Sequence, residues 1–309
     1  MNASESRAER GRQNPHSNCN LTKRFPTRKI VPVFHVIPPH PSLAHLVRSY
    51  GALDYVHTEL SAEHRLYPEC TVLLTFLLGE SYLGVGNDLK RLPPVYLQEF
   101  RDFPLRLRSC GRTRMVGVEF YPWGAIRLLG PSTSNAQNPC TIPAQVSPAF
   151  SARIQRLLVA GEQAEALRAI EEWLLALAAR IDLEPTPAVL AATRLVETSG
   201  LGTVTGLADG VGLSVRQLER QFREQVGMSP KSLARLTRFE AAQRRILEAR
   251  ELSFTRLAHD LGFADQAHFT REFRAFAEQS PGGFMAEMKD FLRRQGDVAF
   301  VQAERTIAF

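Results

Sequence analysis

Two short stretches near the C-terminal end carry the side chains best suited to chemistry. One presents Arg216, Gln217, Glu219, Arg220 and Arg223, the other Gln266, Ala267, His268, Thr270, Arg271 and Arg274. That chemistry is recognition. Arginine pairs with the edge of guanine and glutamine with that of adenine, and both kinds of face can bind phosphate oxygens. A charged helix face is ordinarily just solvated. Here two such faces recur at matching positions, which points to readout of DNA.

The recurrence is an internal repeat. Leu207-Ala208 matches Leu257-Ala258, and Gly212-Leu213 matches Gly262-Phe263, at an offset of 50 residues. After one inserted residue the offset is 51, pairing Leu218 with Phe269, Phe222 with Phe273, and Ser229-Pro230 with Ser280-Pro281. Each unit reads as helix, tight turn, helix. In the first, 205–210 is a short helix, Gly212 makes the turn, and Ser214 with Gln217 forms a capping box. In the second, Ser253 opens a helix, Gly262 turns, and Asp265 caps the helix that follows. Leu218 and Phe222 lie four apart, as do Phe269 and Phe273, so each pair marks a buried stripe opposite the polar face. Between the units, 230–249 reads as one helix about 27–30 Å long, roughly one turn of B-DNA.

The remaining chain bounds the alternatives. The 309 residues suffice for two domains. The net charge of +6 is uneven: residues 1–29 hold seven basic and two acidic groups, and 203–294 hold 15 and 12. A basic tail beside a mildly basic C-terminal region suits a polyanionic partner. No apolar run approaches the ~20 residues of a membrane helix, and the first residues lack a signal-peptide core. The four cysteines, Cys19, Cys70, Cys110 and Cys140, show neither CxxC spacing nor a disulfide pattern. A cytoplasmic protein with reduced thiols is expected, without cofactor, membrane partner or enzymatic activity.

The predicted fold is α+β and multidomain. Residues 1–24 read as a disordered basic tail and 25–145 as a β-rich, barrel- or sandwich-like domain. Within the latter, frequent Pro and Gly separate strand-like runs such as Thr71–Leu77 and Met115–Phe120, with short helices expected at 41–50 and 123–129. Residues 146–200 form a helical linker, in which 147–181 and 188–199 show the three-and-four spacing of amphipathic helices. They are read either as packing between domains or as a dimer interface. An all-α domain with two helix-turn-helix units joined by the long helix occupies 201–292, and 293–309 is a tail.

Residues 203–288 resemble the DNA-binding domain of the AraC/XylS family of bacterial transcription regulators. The resemblance is carried by Leu207-Ala-Asp-Gly-Val-Gly-Leu-Ser, Leu218-Glu-Arg-Gln-Phe-Arg, Gly227-Met-Ser-Pro, Leu257-Ala-His-Asp-Leu-Gly-Phe-Ala-Asp-Gln, His268-Phe-Thr-Arg-Glu-Phe-Arg and Ser280-Pro-Gly-Gly-Phe. It implies base contacts from Arg216, Glu219 and Arg220 in the first unit and from Gln266, Ala267, His268 and Arg271 in the second. One position departs from the family's pattern: Met285 stands where a basic residue is usual. Upstream, Arg65-Leu-Tyr-Pro-Glu-Cys70, a turn at Gly111-Arg112 and Gly117-Val-Glu-Phe-Tyr-Pro-Trp-Gly124 look like the sensor-type domain of some members. The partners implied are double-stranded DNA and RNA polymerase, with activation favoured over repression; the N-terminal resemblance brings no ligand with it, and a small-molecule effector and a second copy of the chain are expected besides.

Two alternatives place chemistry in the N-terminal region. His35, His40, His45, His57, His64 and Cys70 fall within about 35 residues and could respond to a metal, although none shows HxH or HExxH spacing. Cys70 or Cys110 could accept an alkyl group, but neither has an evident neighbouring base.

Overall fold

The computed structural model describes residues 33–56, 63–85, 88–131, 140–249 and 252–295. The tail expected at 1–24, nearly all of that expected at 293–309, and His57 lie outside them. The described residues all fall in one unit, Val31–Phe309.

Strands β1 (Val33–Ile37), β2 (Val47–Val56), β3 (Glu63–Leu66), β4 (Val72–Val85), β5 (Asp88–Arg91), β6 (Val95–Gln98), β7 (Leu105–Phe120) and β8 (Cys140–Thr141) form one antiparallel sheet. Its order is β1-β2-β7-β4-β6-β8, with β3 added to β7 and β5 to β4. Strand side chains alternate between faces. Leu74 and Phe76 of β4 share a core with Val116 and Val118 of β7, whereas Leu77 and Leu83 join Leu92, Tyr96 and Leu105 in a second cluster.

Gly111 and Arg112 make no turn: both lie inside β7, which runs unbroken past them. The reason is a bulge. Leu78 pairs with Arg114 and Glu80 with Cys110, so Gly79 alone faces residues 111–113. Gly79 and Gly111 take φ of 134° and 64° there, and a Cβ on Gly79 would meet the Arg112 carbonyl oxygen at 2.7 Å.

The helix expected at 41–50 is also corrected. Only Pro41–Leu43 makes a single 3-10 turn, capped by His40, and from Val47 the chain is β2. Pairing of Val47–Val56 along β7 recruits Val47, Tyr50 and Leu53 into the sheet, so tertiary pairing overrides the local signal. The second short helix does form, as α1 (Pro122–Leu129).

Helices α2 (Pro148–Ala160) and α3 (Gln163–Ala178) cover the Leu74–Phe76 face. The Phe150 ring lies edge-on to Phe76, at 5.9 Å, and stacks on Trp173 at 5.0 Å. Arg114 reaches from β7 to the last carbonyls of α2, those of Leu158 and Val159, at 2.9 Å each. Next come α4 (Pro187–Glu197), α5 (Val204–Gly210), α6 (Val215–Gln225), α7 (Pro230–Glu248), α8 (Phe254–Asp260), α9 (Gln266–Ala277) and α10 (Pro281–Gln295). Leu218 and Phe222 of α6, and Phe269 and Phe273 of α9, are buried as their spacing predicts.

The sheet is fastened to these helices by specific polar contacts. Arg48 of β2 donates to Glu240 of α7 at 2.5 Å, both largely buried. Tyr67 donates its hydroxyl to Glu287 of α10 at 3.0 Å and packs edge-on against Phe284. Gln243 donates to the Pro68 carbonyl at 3.4 Å, and Thr237 to the Cys70 sulfur at 3.8 Å. The segment from Arg65 to Cys70 thus sits against α7 and α10.

Candidate nucleic-acid interface

The two polar faces are set by helix starts. Ser214 accepts from the Gln217 backbone N–H while Gln217 Oε1 accepts from the Ser214 N–H at 2.9 Å, completing the capping box of α6. Asp265 accepts from the His268 N–H at 2.6 Å and so opens α9. The preceding turns require positive φ, 69° at Gly212 and 72° at Gly262. Nothing lies within 4 Å of a Cβ built on Gly212, so that turn needs glycine for its backbone alone. Ser229 and Ser280 each accept from the N–H three residues on, with Pro230 and Pro281 at the first helical position.

With the apolar stripes buried, Arg216, Gln217, Arg220 and Arg223 of α6 are exposed and Glu219 is half-buried. On α9, Gln266, Ala267 and Arg271 are exposed, while His268 and Thr270 are half-buried. Several of these side chains also have work inside the fold. Gln217 serves the capping box, and Gln266 Oε1 accepts from Thr255 at 2.7 Å, joining α8 to α9. Thr270 donates back to the Gln266 carbonyl at 2.8 Å, and the His268 ring meets Phe263 edge-on. Arg216, Arg220, Arg223 and Arg271 supply the cationic surface between them.

Helix α7 links the two units. Its 19 residues span about 28 Å, close to one turn of duplex DNA. Phe239 stacks on Phe276 at 5.0 Å and tilts against Phe273 at 4.9 Å. Arg235 donates to Glu272 through Nε (2.6 Å) and Nη2 (3.4 Å), and its guanidinium lies over Phe276. Sequence reasoning did not find this Arg235–Glu272 tie, because the two residues lie 37 apart and only the packing of α9 on α7 brings them together.

The N-terminal candidates behave differently. Among the described residues no three His, Cys, Asp or Glu side chains gather as metal ligands; the side chains of His35 and His64 lie outside them. His40 Nδ1 accepts from the Ser42 N–H at 3.2 Å. The Cys70 thiol is fully buried, and burial together with the Glu240 charge pushes its pKa up to about 12 against the lowering by the Thr237 bond and the Arg48 charge. Such a thiol is a poor nucleophile. Burial likewise raises Cys140 to about 11. Gly124, in the other N-terminal motif, sits where a Cβ would fall 1.9 Å from the Leu46 carbonyl oxygen. Trp123 beside it donates to the His45 carbonyl at 2.8 Å. Among the described residues no helix is long and apolar enough to cross a membrane.

Comparison with known proteins bears on the C-terminal third. A family model described as a helix-turn-helix domain matches residues 207–287. The HTH-type transcriptional activator RhaS of Pectobacterium atrosepticum is 38% identical over 76 residues, 25% of this chain and 27% of that protein. The HTH-type transcriptional regulator GlxA of Rhizobium meliloti is 36% identical over 98 residues, 31% of this chain and 30% of that protein. The chain thus spans under a third of the length of these curated relatives. Among solved structures, ToxT from Vibrio cholerae aligns over 76% of this chain and 97% of its own, at 11% identity and a TM-score of 0.44. A regulator from Chromobacterium violaceum with an AraC-type DNA-binding domain aligns over 33% of this chain and 91% of its own, at 25% identity and a TM-score of 0.30. Residues 207–287, which carry two capped helix-turn-helix units on one connecting helix, are thus similar to a helix-turn-helix domain and to the corresponding parts of these regulators.

Proposed function

We propose that the protein is a sequence-specific DNA-binding regulator of transcription, acting in the cytoplasm as an activator. The observation that supports it most directly is the repetition of an exposed, arginine-bearing helix face on two units joined by a helix about 28 Å long. On this reading α6 and α9 enter successive major-groove segments. Arg216, Gln217, Glu219, Arg220 and Arg223 act from α6, and Gln266, Ala267, His268, Thr270 and Arg271 from α9. Arginine contacts to phosphate supply salt-dependent affinity, and contacts to base edges supply the choice of sequence.

The domain limits follow the same reading: a basic tail at 1–24, a sensor domain at 25–145, a helical linker at 146–200, the DNA-binding domain at 201–292 and a tail at 293–309. The sensor domain takes a small-molecule effector, a second copy of the chain supports binding as a homodimer, and RNA polymerase is the protein contacted at the promoter.

Selection of genomic fragments by the purified full chain tests the reading. Enrichment of one motif with two half-elements about 10 base pairs apart, lost in an Arg220→Ala, Arg271→Ala double variant, is the expected result. Enrichment unchanged in that variant refutes the assignment of the two faces.

A further inference from the structure

The two helix-turn-helix units differ at one corresponding place. The turn glycine of the first, Gly212, has nothing within 4 Å of where its Cβ would stand, whereas the same place on Gly262 lies 2.8 Å from Leu201 Cδ2. Leu201 does not belong to the second unit. It precedes Thr203, the cap of α5, and so sits in the loop that leads from α4 into the first unit. That loop therefore reaches across to the turn of the second.

Its path is set by short contacts. The Gly200 N–H donates back to the Leu195 carbonyl of α4 at 2.7 Å, and the Leu201 N–H donates to that of Thr198 at 3.2 Å. Ser199 and Gly200 take φ of 53° and 76°, left-handed backbone that a serine seldom adopts unless its surroundings hold it there. A Cβ on Gly200 would fall 2.2 Å from the Ala234 carbonyl oxygen, so the loop lies directly on α7 and only glycine fits. One turn along α7, Arg238 donates from Nε to the same carbonyl at 3.3 Å and lays its guanidinium over the Phe263 ring, 5.2 Å from its centre. Loop, connecting helix and second turn thus meet through Gly200 on Ala234, Arg238 on Phe263 and Leu201 on Gly262.

Leu201 is 43% exposed, so its burial adds little to a core. It fills the space beside a turn that must stay glycine for its φ of 72°. We propose that Leu201 is a positioning residue, which holds the second unit at one setting relative to the first and so fixes the spacing of DNA half-elements that the protein accepts. The clasp stands on the contacts above, whereas its effect on the choice of DNA rests on the DNA-binding reading.

The test uses the full chain, with nitroxide labels on p-acetylphenylalanine in place of Glu224 on α6 and Ala275 on α9. Both positions are exposed, and this chemistry leaves the native cysteines unlabelled. Without DNA, pulsed electron–electron resonance should give a wider distance distribution for Leu201→Ala than for the native chain. Leu201→Met, which conserves volume, should restore the native distribution. Native protein should prefer its selected motif over versions with one base pair inserted or removed between the half-elements. That preference should fall about fivefold in Leu201→Ala, within the usual coupling of residues in contact, while the preference at each base within a half-element is unchanged. A leucine that only stabilises the fold would shift the melting temperature and neither of these readouts. A native distance distribution in Leu201→Ala overturns the clasp, and a widened one with unchanged spacing preference overturns its role in the choice of DNA. A widened distribution in Leu201→Ala, when the native chain selects no DNA sequence, keeps the clasp and loses the regulator reading.

Discussion

At the scale of single residues, the arginines and the glutamines of the two faces are not equivalent. Gln217 and Gln266 each have the carbonyl oxygen of the side-chain amide engaged within the fold, by Ser214 and by Thr255. An incoming adenine must therefore compete for that oxygen or be met through the amide N–H groups alone. Arg220 and Arg271 are exposed beside buried stripes that fix their helices. Replacing either by alanine should weaken binding to the selected site by about 1–3 kcal/mol, read by fluorescence anisotropy at fixed salt. A variant that weakens all sequences alike, with a shallower salt slope, has lost a phosphate contact; one that relaxes preference at a single base pair has lost a base contact. Cys70 makes a separate, pH-dependent prediction. Its thiol titrates near 12 when folded and near 9 when unfolded. Between those values the unfolded chain gives up the proton first, so stability falls as pH rises, by at most about 1.4 kcal/mol per pH unit. Urea unfolding between about pH 8.5 and about pH 10.5 should show a shallower decline for Cys70→Ala. Native Cys70 should also resist iodoacetamide until the chain is unfolded.

At the scale of elements, the helix-turn-helix units depend on two glycines for different reasons. Gly212 has open space where its Cβ would stand, whereas a Cβ on Gly262 would fall 2.8 Å from the Leu201 side chain. Gly212→Ala should therefore cost about 1–2 kcal/mol of unfolding free energy through backbone strain alone, without altering the contacts of α6. Gly262→Ala should cost at least as much, because Leu201 has to shift as well. Chemical denaturation of the two variants side by side checks the ordering. These units were legible in the sequence because their determinants are local: a capping serine lies three residues from its partner, and a buried stripe repeats every four. The sheet was legible only as a texture of short strands. Its two longest members, β4 and β7, run through Gly79 and Gly111, residues that punctuate a sequence but here form opposite sides of one bulge. Pairing of β7 with β2 and β4 joins segments tens of residues apart, and no window along the chain contains both partners.

At the scale of the whole molecule, the sheet domain is tied to α7, the helix that joins the two helix-turn-helix units. The Arg48–Glu240 pair is the most direct tie, since the two side chains are only 13% and 15% exposed. Burial opposes the Arg48 charge, but Glu240, with the charges of Glu119 and Glu69, more than restores it, so its pKa lies above the ordinary arginine value. A buried pair of this kind need not stabilise the fold relative to apolar side chains, yet breaking it from one side leaves a charge stranded. Glu240→Ala should therefore destabilise the protein by about 3 kcal/mol, the lower end of the usual range, because Glu119 and Glu69 still act on Arg48. Replacing both residues, as Arg48→Met with Glu240→Leu, should recover most of that loss. The comparison separates two roles in one measurement series. If the double variant regains stability and also keeps its response of DNA affinity to an effector, the pair serves packing, and coupling passes elsewhere, through Tyr67 and α10 or the 227–228 turn. If stability returns but the response does not, the charge pair itself transmits the signal to α7. Urea midpoints for the three proteins, set beside their DNA affinities with and without effector, decide between those routes.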